Sequence, residues 1–331
     1  MTVFLLSEGF YRRTGDEFRE VCRKSGIDPR VVLLPTDPAA RLDPEERDKV
    51  EVAHFSGDII ARGLSRSFFS ATQGGTSLKW VHLSNAGVDN PVFGRLLNKG
   101  IRLTTSAGAT AVPIAQTAIA GMLMLARGFP AWTEAQRSRK WQEHPDKVIP
   151  EDLNGQTMVV VGLGSIGSEI ARLATAIGLS ATGIRRSPRH AQDPVDKVFP
   201  PSSLHGLLPG ADWLALACPL TDETRRLVDE SALMALKPGA RILNIARGEV
   251  IDEQALVAAL RSGHVSGAYL DVFETEPLPE ESPLWTMPNV VITPHNSSVS
   301  RGNEARVSSF FLRNLALWAR NELLINEVGS R

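Results

Sequence analysis

Short apolar blocks alternate with longer stretches of helical period along most of the chain. In the first third the blocks fall at residues 3–6, 31–34, 80–83 and 101–104. A second series follows at 158–161, 180–184, 213–217, 242–245, 268–270 and 290–292. Apolar runs this short suit strands buried on both faces, and strands alternating with helices build parallel sheets. The segment 110–127, TAVPIAQTAIAGMLMLAR, is apolar nearly all round and predicts a helix covered on most faces, between domains or against a second subunit. The last helical pattern, 303–322, has no strand after it and is expected to return to the first series. The predicted fold is therefore α/β, with two doubly wound Rossmann-like domains, parallel sheets and an active site in the interdomain cleft. Residues 1–106 with 297–331 form the substrate domain, and 107–296 form the nucleotide domain. The proline-rich segments 194–201 and 277–283 read as turns.

Composition narrows the function classes. A chain of 331 residues accommodates two cores. A net charge of −1 and a pI near 6.7 supply no broad basic field for nucleic acid or an anionic membrane, so any anionic ligand must be recruited locally. Cys22 and Cys218 are the only cysteines, too few for a disulfide framework or a zinc quartet, which points to the cytoplasm. The amino-terminal apolar run precedes its basic residues, the wrong order for a secretory signal, and no run predicts a membrane span. No histidine pair has metal-ligand spacing, so no metal is expected.

The most informative segment is TMVVVGLGSIG, residues 157–167. A buried strand runs into glycines at the spacing of a dinucleotide-binding turn and on into a helix. Gly162 allows the turn, Gly164 leaves room for a pyrophosphate, and Gly167 lets the helix pack against the strand. The amides of Ser165, Ile166 and Gly167 open the helix toward the phosphates. About 20 residues beyond the glycines, an NAD-selective site carries an acidic residue for the ribose hydroxyls. Here the second strand ends instead in Arg185, Arg186 and Ser187, with no acidic residue at that point. Guanidinium groups and a hydroxyl suit a 2′-phosphate, so NADP(H) is favoured over NAD(H).

Three residues able to carry chemistry follow strands of the same series: Arg247, Glu276 and His295. Reduction of a 2-keto acid needs a cation for the carboxylate and carbonyl oxygen, a proton donor, and a group to orient that donor. Arg247 supplies a permanent planar cation, His295 a proton-transfer group, and Glu276 a carboxylate that would fix the imidazole tautomer.

The motifs GLGSIG, the run from ADWLALACPLTDETRRLVDE to NIARGEVIDEQALVAAL, then GAYLDVFETEPLPEESPLW and PNVVITPH occur in the order found in one family. Over residues 141–295 the chain resembles the D-isomer specific 2-hydroxyacid dehydrogenases. The resemblance implies Arg247, Glu276 and His295 as the catalytic set. It implies Asp271 as the holder of the nicotinamide carboxamide, Pro219 and Thr224 as cofactor-lining residues, and the Ile245 and Ala246 backbone beside the nicotinamide. LSNAGVDN, residues 83–90, resembles the family's substrate loop, in which the amides at Ala86 and Gly87 would bind the substrate carboxylate together with Arg247 and His295. Two departures stand out: Asn296, Ser297 and Ser298 follow the histidine where the family often has an apolar and a small residue, and Gln116 replaces a common glutamate. The implied activity is NADPH-dependent reduction of a small 2-keto acid of the glyoxylate or hydroxypyruvate type to the D-2-hydroxy acid. Alternatives are an NAD-dependent dehydrogenase of another 2-hydroxy acid and a nucleotide-sensing interaction protein on the same fold. A homodimer is expected, through the helix at 110–127 with Trp132 and Trp141.

Overall fold

Every strand pairs in parallel with its neighbours, as short apolar blocks joined by helical connections require. The computed structural model describes residues 1–85, 87, 88, 90–143 and 149–329. The chain divides into two units, Met1–Ala109 with Ser300–Arg331, and Thr110–Val299. The junctions thus follow residues 109 and 299, against 106 and 296 in the sequence reading.

In the first unit, β1 (Thr2–Leu6), β2 (Pro29–Leu33), β3 (Val52–Phe55), β4 (Trp80–Leu83) and β5 (Arg102–Thr105) form a sheet in the order β2-β1-β3-β4-β5. The strand β3 was not among the expected blocks: its four residues, VAHF, are interrupted by His54. That histidine is fully buried and pairs in register with His82 of β4, also fully buried. Thr104 Oγ1 and Ser106 Oγ lie 2.7 and 3.0 Å from the His82 ring nitrogens, while His54 stacks on Phe311 with centroids 4.5 Å apart. Burial pushes both imidazoles down, His54 to about 4 and His82 well below the usual histidine range. Ser7 caps the helix Glu8–Lys24 by accepting from the Phe10 amide at 3.0 Å. The helix Asn303–Ala319 packs beside it, and Phe311 and Leu315 join Phe4, Phe10, Phe18 and Trp80 in one core.

In the second unit, β6 (Thr157–Val161), β7 (Ser180–Ile184), β8 (Lys197–Phe199), β9 (Trp213–Leu216), β10 (Ala240–Asn244), β11 (Val265–Leu270) and β12 (Val290–Ile292) take the order β8-β7-β6-β9-β10-β11-β12. The segment 194–201 is thus not all turn: β8 lies within it, an edge strand pairing Thr182 with Lys197 and Ile184 with Phe199. Prolines at 194, 200 and 201 flank it, as edge positions permit. The strand order reverses between β6 and β9, and in open α/β sheets ligands bind outside the carboxyl ends of the strands at such a point.

The helix Ala111–Arg127 buries a face of small residues against this sheet. A Cβ at Gly121 would lie 2.4 Å from the Tyr269 ring, so only glycine allows that approach. Its covering is less complete than its composition implies, because Val112, Gln116, Ala120, Leu123 and Arg127 form one exposed stripe. Trp141 is 94% exposed, so it does not pack into this chain's core. Among the described residues, no single helix is long and apolar enough to cross a membrane.

Candidate active site

The turn after β6 shows why each glycine is there. Gly162 has φ 93°, and a Cβ on it would lie 2.5 Å from the Cys218 amide nitrogen. A Cβ on Gly167 would lie 2.1 Å from the Gly162 carbonyl oxygen, so the third glycine sets the approach of helix to strand. At Gly164, beyond its chain neighbours, no atom of the described residues lies within 4 Å of where a Cβ would stand. Packing therefore does not demand glycine at 164, and the open space there suits the close approach of a ligand. Gly164 is also the N-cap of the helix Ser165–Ala176 and provides no side-chain cap, which leaves the amides of Ser165, Ile166 and Gly167 for an anion. These residues fit a dinucleotide. Burial raises the neighbouring Cys218 thiol to about 11, so it stays protonated and structural.

At the end of β7 the two arginines part company. Arg185 forms a bidentate pair with Asp193, at 2.9 and 2.7 Å, and its side chain is only 17% exposed. Arg186 is 74% exposed, with Glu223 at 3.5 Å, and Ser187 is exposed beside it. The Arg185 guanidinium holds the Asp193 carboxyl down at about 2. Farther along, the Thr224 hydroxyl donates to the Pro219 carbonyl at 2.7 Å and accepts from the Thr221 amide at 2.7 Å, which ties together two of the expected cofactor-lining residues. Ile245 and Ala246 are buried at the end of β10.

The loops after β10, β11 and β12 bring the expected catalytic residues into one framework. Buried Asn244, the last residue of β10, brackets Arg247: its Oδ1 accepts from the Ala246 amide at 3.1 Å and its Nδ2 donates to the Arg247 carbonyl at 3.1 Å. The Arg247 side chain is exposed and donates to the Ala246 carbonyl at 2.6 Å. A Cβ on Gly248 would stand 1.8 Å from the Phe273 carbonyl carbon, so this glycine lets the Arg247 loop lie against the loop carrying Glu276. The Glu276 carboxylate is held at both oxygens. Oε1 accepts from the Phe273 amide at 3.1 Å, and Oε2 lies 2.7 Å from His295 Nδ1. With Nδ1 donating to the carboxylate, Nε2 is the ring atom left to exchange a proton with a ligand.

His295 itself has φ 50°, in the left-handed region. Asp271 supports that turn. Its carbonyl accepts from the His295 amide at 2.8 Å, and its buried carboxylate accepts from the Thr293 hydroxyl at 2.6 Å and from the Asn296 and Ser297 amides at 3.1 and 3.2 Å. The Ser297 hydroxyl donates to the other carboxylate oxygen. Tyr269 completes the chain, its hydroxyl 2.7 Å from Thr293 Oγ1. Asp271 is therefore a keystone of the histidine loop, a task that the sequence reading did not give it. Sequence reasoning likewise missed Asn244, Thr293 and Asp193. Ser297 was visible as a departure after the histidine, and its hydroxyl explains the departure: it adds a donor to a buried carboxylate.

In the first unit, Ala86 lies outside the described residues and Gly87 is exposed. Part of the segment 83–90 has a purely structural task, since Asn90 caps the helix Pro91–Asn98 by accepting from the Val92 amide at 3.0 Å.

The family model described as D-isomer specific 2-hydroxyacid dehydrogenase, NAD binding domain, matches residues 119–297. A glyoxylate reductase of Korarchaeum cryptofilum is 34% identical over 248 residues, 73% of this chain and 74% of its own. A hydroxypyruvate reductase of Thermotoga maritima is 32% identical over 280 residues, covering 83% of this chain and 90% of its own. Among solved structures, a D-isomer specific 2-hydroxyacid dehydrogenase from Xanthobacter autotrophicus Py2, in complex with NADPH and MES, superposes with a TM-score of 0.71 at 30% identity, over 99% of this chain and 97% of that one. With a glycine turn shaped for a dinucleotide and a histidine–carboxylate pair at the strand ends of the same sheet, the chain belongs to the D-isomer specific 2-hydroxyacid dehydrogenases, oxidoreductases that use NAD(P).

Proposed function

We propose that the protein reduces a small 2-keto acid of the glyoxylate or hydroxypyruvate type to the D-2-hydroxy acid, with NADPH preferred over NADH. The observation that carries this reading is the 2.7 Å contact between His295 Nδ1 and Glu276, on loops that follow β12 and β11. The similar proteins named glyoxylate reductase and hydroxypyruvate reductase support the substrate class, and the NADPH-bound relative supports the cofactor.

A bound nicotinamide supplies the hydride. Gly162, Gly164, Ser165, Ile166 and Gly167 would hold its pyrophosphate, Arg186 and Ser187 would take its ribose phosphate, and Pro219, Thr224, Ile245, Ala246 and Asp271 would line the remainder. Arg247 binds the substrate carboxylate and polarises the keto oxygen through its planar fork. His295 Nε2 delivers a proton to the keto oxygen. Glu276 keeps Nδ1 as donor and stabilises the charged ring before transfer. The sum is keto acid, reduced nicotinamide and a proton giving hydroxy acid and oxidised nicotinamide. The reverse reaction uses neutral His295 as base.

One observation favours a second cofactor reading: the Arg185 charge is already neutralised by Asp193, which weakens the positive field for a 2′-phosphate and leaves NADH preference as the competitor. Initial rates of reduced-nicotinamide oxidation with glyoxylate and hydroxypyruvate separate the two. The expected kcat/KM ratio favours NADPH by about tenfold or more, the value of one charge-assisted contact. A ratio favouring NADH transfers the assignment to the second reading.

The same proposal places the protein in the cytoplasm as a homodimer. The exposed Val112, Ala120 and Leu123 on one stripe of the helix Ala111–Arg127, with exposed Phe129 beyond it, support the dimer. Light scattering at micromolar concentration is expected to give twice the chain mass of 35.9 kDa. The chain mass alone would remove the dimer from the account.

A further inference from the structure

Arg185 has five N–H donors, and each has a protein acceptor. Nε donates to the Ser187 carbonyl at 3.2 Å. Nη1 donates to Asp193 Oδ1 at 2.9 Å and, at the long limit, to the Leu163 carbonyl at 3.5 Å. Nη2 donates to Asp193 Oδ2 at 2.7 Å and to the Pro188 carbonyl at 2.5 Å. Arg185's donors are thus engaged within the protein, chiefly by Asp193. Asp193 is equally committed, since its Oδ2 also accepts from the His190 amide at 2.7 Å. Its side chain is 7% exposed. The pair thereby links the middle of the glycine turn, through Leu163, to the segment that follows β7.

Arg186 is different in each respect. Its side chain is 74% exposed and its nearest carboxylate, Glu223, is 3.5 Å away and equally exposed. Such a solvent-screened contact is weak and readily exchanged for a phosphate. Burying a bidentate ion pair beside a nucleotide loop brings little net stability, and its usual value is to fix one geometry.

We propose that Asp193 is a positioning residue for cofactor selection: it locks Arg185 as a strut of the segment after β7 and leaves 2′-phosphate recognition to Arg186 and Ser187. This rests on the NADPH preference proposed above and deepens it. In that arrangement the two consecutive arginines are not equivalent. Arg185 shapes the loop that presents Arg186 and the Ser187 hydroxyl, and touches no phosphate. The opposite arrangement, in which Arg185 is itself a phosphate ligand restrained by a competing carboxylate, makes the contrary prediction for Asp193.

The test is calorimetric binding of 2′,5′-ADP and of 5′-AMP, which differ by the 2′-phosphate alone, to the full chain and to Arg186→Gln, Asp193→Asn and Arg185→Lys. The expected wild-type ratio favours 2′,5′-ADP by about tenfold or more. Arg186→Gln should abolish most of that ratio, and Asp193→Asn and Arg185→Lys should each lower it severalfold, all with 5′-AMP affinity unchanged. Intact 5′-AMP binding also shows that each variant is folded. A wild-type ratio near one overturns the NADPH reading and this inference together. A wild type that prefers 2′,5′-ADP, with an unchanged or raised ratio in Asp193→Asn, overturns the inference alone. Equal loss of both nucleotides in Asp193→Asn also overturns it, since the strut would then serve the whole nucleotide loop rather than selection.

Discussion

Replacing His295 with asparagine is expected to lower kcat for keto-acid reduction by about two to four orders of magnitude, the ordinary contribution of a positioned general acid. Glu276 accepts from Nδ1 at 2.7 Å, and its other oxygen is pinned by the Phe273 amide, so the imidazole has one orientation and Nε2 faces outward. Asparagine can occupy the left-handed backbone at φ 50° with little strain, so the loop held by Asp271 should survive the exchange. The loss should therefore fall on kcat, with binding of 2′,5′-ADP unchanged. Glu276→Gln should produce a smaller loss, because the amide still meets Nδ1 but no longer stabilises the charged ring. Steady-state kinetics on the two variants check this. An asparagine variant within a few-fold of the wild-type kcat would remove His295 from the proton-transfer role.

The second large effect is a loss of stability in mild acid, set by a pair of buried histidines in the first unit. His54 and His82 are fully buried in adjacent strands of the first unit, and burial pushes His54 to about 4 and His82 well below the usual range. In the unfolded chain both titrate near about 6.5. Above that pH both states are neutral and the pair adds no pH dependence. As pH falls through about 6.5 the unfolded chain takes up protons that the folded chain refuses, and stability drops by about 1.4 kcal/mol per pH unit for each histidine. For His54 the loss reaches about 3 kcal/mol as pH falls to its folded value of about 4. The His82 carbonyl beside Nδ1 and, after it, Asp58 offset part of this by favouring a charged His54, and Arg13 acts in the opposite sense. His82 adds a further loss in the same direction. Urea midpoints measured from pH 7 to pH 4.5 should fall steeply, and His54→Phe should flatten the slope by about one proton. A slope that begins only below pH 4.5 would assign acid unfolding to carboxylates such as Asp193, whose folded value lies at about 2.

The parts of this molecule that were legible in the sequence are those whose causes are local. The run from Thr157 to Gly167 declares a strand, a turn and a helix because each glycine answers to a neighbour within a few residues, Gly162 to its turn and Gly167 to Gly162. The strand-end placement of Arg247, Glu276 and His295 was readable because apolar blocks mark strand ends. The short strand β3 escaped because His54 interrupts four residues whose apolar surroundings come from Phe10 and Phe311, far apart in sequence. The edge strand β8 escaped because its prolines suggested a turn. Asp193 is not legible in the sequence because a selecting carboxylate is expected at the end of β7, while the one that matters returns eight residues later across a loop. The role of Asp271 in holding the histidine loop depends on four donors converging on one buried carboxylate, and only the left-handed turn at His295 brings them there.

Hydride and proton are expected to reach the keto acid stereospecifically. Incubating the protein with hydroxypyruvate and NADPH deuterated at the transferable position of the ring, then analysing the product by chiral chromatography and mass spectrometry, tests it most directly. The expected product is D-glycerate carrying one deuterium at C2. Recovery of the L-product, of unlabelled glycerate, or of unreacted hydroxypyruvate with both NADPH and NADH would contradict it.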